Sequence, residues 1–265
     1  MEFYKRKEPF PKHYFTLYPL GDWHLGSQQC NLDFIRQIIS EIKDNPNAYW
    51  VGMGDLMENA IVGSKSDIYT QVMPPGEQMD FLAHLLSPIK EKGLFSVSGN
   101  HEQRTMKVVG IRPEQLLMKE LGVPFLGFSV GALFQLSKCK SPSSFNCYFH
   151  HSWGGGFLKG SKVNASEKLQ QVVRTADAVF TGHTHITSRV QSTWYDFGRK
   201  KMIEKTTVSY IIGSALSYGD SYAEERGKPP ASVEAIKVTF VGATSGKYDN
   251  RVQKYEVITP NGRGK

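Results

Sequence analysis

Apolar residues in this chain gather into short runs, and each run stops at a polar cluster. Residues 14–20 read as a buried strand that delivers Gly21-Asp22. Asn31 is placed to cap a helix whose Leu32, Ile35, Ile38, Ile39 and Ile42 fall on one face, and Asn45-Pro46-Asn47 ends it. Tyr49 to Met53 is a second apolar run, delivering Gly54-Asp55. After a polar loop, Met79, Leu82, Leu85, Leu86 and Ile89 mark another amphipathic helix. Leu94 to Val97 then forms a strand that ends at Gly99-Asn100-His101. Strand–helix–strand–helix–strand predicts parallel strands with crossover helices, and ligands in such sheets bind beyond the carboxyl ends of the strands.

The second half is less regular. Pro113 opens a helix that Gly122 closes. Strands are expected at 130–137 and 145–150. Asn164 and Glu167 have the spacing of a capping box for a helix running to about Arg174. Ala178 to Phe180 is a short strand leading into Thr181-Gly182-His183-Thr184-His185. Runs at 207–212, 234–241 and 251–258 read as strands closing a second sheet.

The chemistry sits at the strand ends. In order they present Asp22 and His24, Asp55, Asn100 and His101, His150 and His151, and His183 and His185. These are carboxylate, amide and imidazole donors without a thiolate, a mixture suited to Mn²⁺, Fe, Zn²⁺ or Mg²⁺ rather than to a structural zinc. Any one of these pairs alone reads as a helix cap or a solvated turn. Five at successive strand ends do not. Arg104, three residues beyond His101, is a candidate phosphate contact or a surface residue. Glu58 and Asn59 either orient the ligands or only shape their loop. Gly154-Gly155-Gly156, beside the histidine pair, either shapes a substrate entrance or makes a turn.

The series GDWH, GDLMEN, GNHE, a strand ending in histidine, and GHTH, spread over residues 21 to 185, resembles the signature set of the calcineurin-like metallophosphoesterases. That resemblance implies a four-layer α/β sandwich of two mixed β-sheets flanked by helices. One domain would span 1–265, with a motif-bearing core over 14–190 and a sheet-completing part over 191–259. It implies two divalent ions, Mn²⁺ first, with Fe, Zn²⁺, Mg²⁺ and Ni²⁺ as alternatives. Asp22, His24 and His185 would hold one ion. Asn100, His183 and one histidine of the 150–151 pair would hold the other, with Asp55 bridging. The family's usual pattern favours His150, directly after the apolar run, whereas alignment on the glycines selects His151. His101 matches the histidine that contacts the phosphate and protonates the leaving group. The implied reaction is hydrolysis of a phosphodiester or phosphomonoester by a metal-bridging hydroxide, without a covalent phosphoenzyme. The second motif lacks the Asp-Arg-Gly pattern of protein phosphatases, which turns the expectation towards phosphodiesterases and nucleases.

Charge changes this picture only slightly. The formal net charge of +7 and pI near 9.2 favour polyanionic partners such as DNA, RNA or nucleotides. The clusters Lys5-Arg6-Lys7 and Arg199-Lys200-Lys201, the second near Trp194, Tyr195 and Phe197, read equally as nucleic-acid contacts and as solvated surface. Cys30, Cys139 and Cys147 show no paired spacing and suggest reduced thiols in the cytoplasm. Met1 to Lys12 is charged and has no apolar segment of a secretory signal, and no apolar run is long enough to span a membrane. The reading from another class is a non-catalytic nucleic-acid- or protein-binding scaffold that has kept the fold.

Overall fold

The computed structural model of the chain describes residues 1–64, 68–137, 143–152, 156, 158–219, 227, 230–243 and 251–261. Cys139, Gly154, Gly155 and the last four residues of the tail lie outside these.

The chain opens with β1 (Glu2–Lys5) and β2 (Tyr14–Leu20), then α1 (Leu32–Asp44), β3 (Ala48–Gly52), α2 (Pro75–Leu86) and β4 (Gly93–Ser96). Strands β2, β3 and β4 pair in parallel, as the alternation of helices and strands requires. The Asn31 side chain accepts the Phe34 N–H at 3.0 Å, a cap worth about 1 kcal/mol. From there α1 buries Phe34, Ile35, Ile38, Ile39 and Ile42. Helix α2 buries Leu82 and Leu86 and runs on into a 3₁₀ turn, Ser87–Lys92, that buries Ile89.

Next come α3 (Glu102–Val109), α4 (Pro113–Leu121), β5 (Ser129–Leu136), β6 (Ser143–His150), α5 (Lys159–Gln170), β7 (Ala178–Thr181), β8 (Ser188–Phe197), β9 (Met202–Ile211), β10 (Ala235–Val241) and β11 (Val252–Ile258). Two mixed sheets result, one ordered β1-β5-β6-β7-β9-β8 and the other β11-β10-β2-β3-β4. Between them lies an aromatic core in which Phe15, Phe134, Phe149, Phe180 and Phe240 are fully buried. Helices α1, α2 and α4 cover the far face of the five-stranded sheet over Tyr18 and Trp50, and α5 covers the far face of the six-stranded one over Tyr148 and Val179. The architecture is therefore helix, sheet, sheet, helix, a mixed α/β sandwich. No helix among the described residues is long and apolar enough to cross a membrane.

Three features depart from the expectation. The later strands do not close one sheet together: β9 joins β7 in parallel, whereas β10 extends the other sheet antiparallel to β2 and β11 follows antiparallel to β10. Helix α5 starts at Lys159, so Asn164 lies mid-helix and caps nothing; the N-cap is Leu158, which makes no side-chain cap bond. Packing fixes that helix instead, through buried Leu169 and the 2.7 Å bond from Gln170 Nε2 to Ser209 Oγ. Strand β8 and helix α3 have no strong apolar period to reveal them.

The parallel strands β2, β3 and β4, with β6 and β7, end at one edge of the sandwich, and all the polar motifs leave from there. The aromatic core between the sheets holds that edge together. Phe240 stacks on Phe15 at 5.1 Å and meets Phe145 edge-on at 4.9 Å. Phe240→Ala is expected to lower the unfolding free energy by about 3–5 kcal/mol in chemical denaturation. A loss under about 1 kcal/mol would contradict this packing.

Candidate metal centre

The loops after the strands are held in unusual backbone conformations. Asp22, His24, Asp55, His183 and His185 have φ of 50, 48, 51, 72 and 54°, and Asn59 and Ser152 have 46 and 77°. These are the non-glycine residues with positive φ among the described residues, and all lie at this edge. Each costs on the order of 1 kcal/mol or more, and such strain persists only where the surroundings impose it.

Those surroundings are visible. The Asp22 and Asp55 loops bond to each other, Trp23 N–H donating to the Asp55 carbonyl at 2.9 Å and Leu25 N–H to that of Leu56 at 2.9 Å. Glu102, fully buried on α3, accepts the N–H groups of Asp55 (3.0 Å), Leu56 (2.8 Å) and Met57 (3.3 Å). Gly99 is needed for this approach, because a Cβ there would stand 2.1 Å from the Asp55 nitrogen.

Two groups of donors face each other across the edge, Asp22, His24 and His185 in one and Asp55, His151 and His183 in the other; a third, His24, Glu58 and His101, shares His24 with the first. In the first, His24 Nε2 and His185 Nε2 are 3.1 Å apart, and Asp22 Oδ1 lies 3.9 Å from His185 Nε2. In the second, His151 Nε2 is 3.1 Å from both Asp55 Oδ2 and Asn100 Oδ1, and His183 Nδ1 is 2.6 Å from the same Asn100 oxygen. Asp55 Oδ2 sits between the groups, also 4.0 Å from His24 Nε2 and 3.9 Å from His101 Nε2.

Backbone and side-chain contacts aim these atoms. His183 N–H donates to Asp22 Oδ2 and His101 N–H to Asp55 Oδ1, each at 2.8 Å. His151 Nδ1 lies 2.7 Å from the Met53 carbonyl, which can only accept, so a proton sits there and Nε2 faces inward, offering a lone pair when the ring is neutral. His24 Nδ1 is held in the same way by Glu58 Oε2 at 3.2 Å. What remains is unpaired: Asp22 Oδ1 and Asp55 Oδ2 are buried without a hydrogen-bond partner. Lone pairs face lone pairs about a buried carboxylate, an arrangement that needs positive charge among them. The donor set therefore fits divalent cations.

The electrostatics agree. Burial pushes the Asp22 carboxyl up to about 7. At Asp55 burial also opposes ionisation, but the facing His151 and then His101 outweigh it and hold the carboxyl well below its usual range. His151 is raised to about 10, because Asp55 overcomes the burial that would lower it. A proton at His151 thus stands where the carboxylates would otherwise hold a cation.

The structure separates the histidine pair and corrects the preference for His150. Phe145, Cys147 and Phe149 point into the inter-sheet core, so His151 continues on their side and His150 faces the opposite way. His150 Nδ1 accepts the Ser152 N–H at 2.6 Å, and the ring lies outside both groups. The alternation of apolar residues in 145–149 already carried that signal.

Around His101 the contacts are more specific than a motif reveals. Its Nδ1–H donates to the Glu58 carbonyl at 2.8 Å, and its Nε2 accepts from Arg104 Nη2 at 2.9 Å. Burial lowers its pKa to about 4, leaving a neutral ring. Arg104 also donates to the Glu58 carbonyl at 3.0 Å, which places it beside the centre. Asn59 donates to the His101 carbonyl at 2.7 Å and takes its own N–H bond to Gln78 Oε1 at 2.9 Å. Sequence reasoning missed Gln78 and Glu102. A polar residue on the buried stripe of α2 was the available sign for Gln78; only adjacency to His101 pointed at Glu102.

No family model matches the sequence, and no curated protein matches it. Among solved structures, the chain is similar to the crystal structure of a conserved uncharacterized protein, a predicted phosphoesterase, from Streptococcus pneumoniae TIGR4. The identity is 12%, the match covers 92% of this chain and 98% of that one, and the TM-score is 0.36. At that level the likeness carries no argument about function.

Divalent ions are expected to stabilise the protein, by about 2.7 kcal/mol for each site at a hundred times its Kd. In thermal unfolding with and without Mn²⁺, Asp55→Asn should lose most of that gain without weakening the metal-free protein. Glu102→Ala should instead lower metal-free stability by about 2 kcal/mol or more, since three N–H groups lose their acceptor. An unfolding temperature indifferent to every divalent ion tested would contradict the centre.

Proposed function

We propose that this chain is a metal-dependent phosphoester hydrolase acting first on phosphodiesters, with nucleic acid or nucleotides as the favoured substrate class. The observation that supports it is the pair of buried, unpaired carboxylate oxygens of Asp22 and Asp55 among inward-facing imidazoles. Asp22, His24 and His185 would hold one cation and Asn100, His151 and His183 the other, with Asp55 shared. Divalent ions bound there supply Lewis-acid polarisation of a phosphoryl group and a lowered pKa of water. The oxygen and imidazole donors suit Mn²⁺ best, ahead of Fe, Zn²⁺, Mg²⁺ or Ni²⁺.

The chain's own part is positioning and proton handling. Arg104 already reaches His101 Nε2, so its guanidinium can turn to a phosphate oxygen with little displacement. Once that bond is given up, His101 Nε2 is open to take a proton and return it to the leaving oxygen, while the Glu58 carbonyl keeps the ring in place through Nδ1. Free Cys30 and Cys147 support a reducing compartment, the cytoplasm. A scaffold without catalysis would have no use for five strained ligands around unpaired carboxylates.

Turnover of bis-p-nitrophenyl phosphate should appear with Mn²⁺ and vanish on chelation. His101→Ala should cut kcat roughly 100-fold or more while leaving Mn²⁺ affinity near that of the unmodified protein. Metal binding without turnover of any diester or monoester would overturn the proposal.

A further inference from the structure

One surface far from the metal centre is used by neither the fold nor the proposed reaction. Strand β9 pairs with β7 only over Val208–Ile211, yet its pairing with β8 continues out to Phe197 opposite Met202. Residues 192–197 and 202–207 therefore form a two-stranded ribbon without a third strand, on the order of 20 Å long. It leaves the sandwich at the end opposite the metal centre, because Ile211, next to Thr181, marks the centre's edge.

The ribbon's two faces differ. Residues paired directly across strands share a face, so Tyr195, Phe197 and Met202 lie on the same side as Val208 and Tyr210, which are buried between the sheets. Beyond a polar stretch of Gln191, Thr193, Thr206 and Glu204, that face ends in a separate aromatic patch, where Tyr195 is 67% exposed and Phe197 90%. Two large rings standing in water two residues apart on a ribbon that packs only lightly are unfavourable unless something covers them.

Charge selects the cover. Of the ribbon's two carboxylates, Asp196 is paired with Lys205 Nζ at 2.8 Å, and Glu204 accepts the Tyr195 hydroxyl at 3.4 Å, which leaves the three cations of the turn in excess. Arg199, Lys200 and Lys201 at the turn are exposed, with no ion pair among the described residues. A second copy seated face to face with its strands in the same direction would bring two turns of the same positive charge together, and one seated the opposite way would leave both turns without a charge partner. A single-stranded nucleic acid meets both features, since its bases stack on exposed rings and its phosphates take the cations.

We infer that the β8–β9 ribbon is an anchoring surface for single-stranded nucleic acid, with Tyr195 and Phe197 as stacking platforms and Arg199, Lys200 and Lys201 as phosphate contacts. The tip lies about 30 Å along β9 from the metal centre's edge, so it acts on binding and not on bond cleavage. As an account of substrate capture the inference rests on the phosphoesterase reading; as a binding surface it does not.

Fluorescence anisotropy of a long labelled oligothymidylate on the full chain, with EDTA present, tests it without reference to catalysis. The doubly substituted Tyr195→Ala/Phe197→Ala chain should bind about tenfold or more weakly. Arg199→Ser/Lys200→Ser/Lys201→Ser should flatten the slope of log affinity against log salt by on the order of 2. Both variants should keep the unmodified unfolding temperature and turn over bis-p-nitrophenyl phosphate at the unmodified rate. Absence of oligonucleotide binding would overturn the inference, as would binding that both variants retain. A concentration-dependent dimer in sedimentation that the aromatic variant abolishes would also overturn it, in favour of self-association. Loss of turnover in the unmodified chain bears on the phosphoesterase reading alone.

Discussion

Two carboxylates, Asp22 and Asp55, are buried at the edge where the two sheets meet, and each keeps one oxygen without a hydrogen bond. Burying a lone ionised carboxylate costs several kcal/mol, and placing two close together costs more. With their rings neutral, the imidazoles of His24, His151, His183 and His185 present lone pairs that add to the negative potential instead of relieving it. Only positive charge makes the arrangement economical, whether as a proton on His151 or as bound cations. The strain of five donor residues in left-handed backbone has the same origin, since bringing donors from separate strands to one spot leaves no room for relaxed turns.

Neighbouring elements hold that spot together. Helix α3 sends Glu102 beneath the Asp55 loop, and α2 sends Gln78 beneath Asn59, so two helices that contribute no donor to either metal group still fix the loop. Glu58 and the Met53 carbonyl occupy the outer nitrogens of His24 and His151 and turn the inner ones to the centre. The aromatic core supplies the rigidity behind these contacts. Function and fold therefore share residues at this edge, and the burial that stabilises the sandwich also creates the need for a cation.

Much of this was legible in the chain. The parallel β2-β3-β4 unit with its helices followed from period and caps, because apolar stripes and Asn31 act locally. The convergence of Asp22, Asp55, Asn100 and His183 followed from their places at strand ends. Between His150 and His151 the end of the apolar run favours the first, whereas the alternation of 145–149 puts Phe149 and His151 on one side, and the structure follows the alternation. Helix α5 was expected, but about five residues too late, because its position is set by Ser209 and Leu169 rather than by its own ends. Strand β8 escaped because half of it pairs outside the sandwich, where no core imposes an apolar period. Glu102 could not be found from spacing, since its three partners are backbone groups some 45 residues away.

The central claim is that the unpaired oxygens of Asp22 and Asp55 exist to receive cations. Anomalous diffraction from crystals grown with Mn²⁺ tests it most directly. The account predicts two peaks, one among Asp22, His24 and His185 and the other among Asn100, His151 and His183, with Asp55 touching both. Density for Mn²⁺ confined to other parts of the surface, with both carboxylates still unliganded, would contradict it.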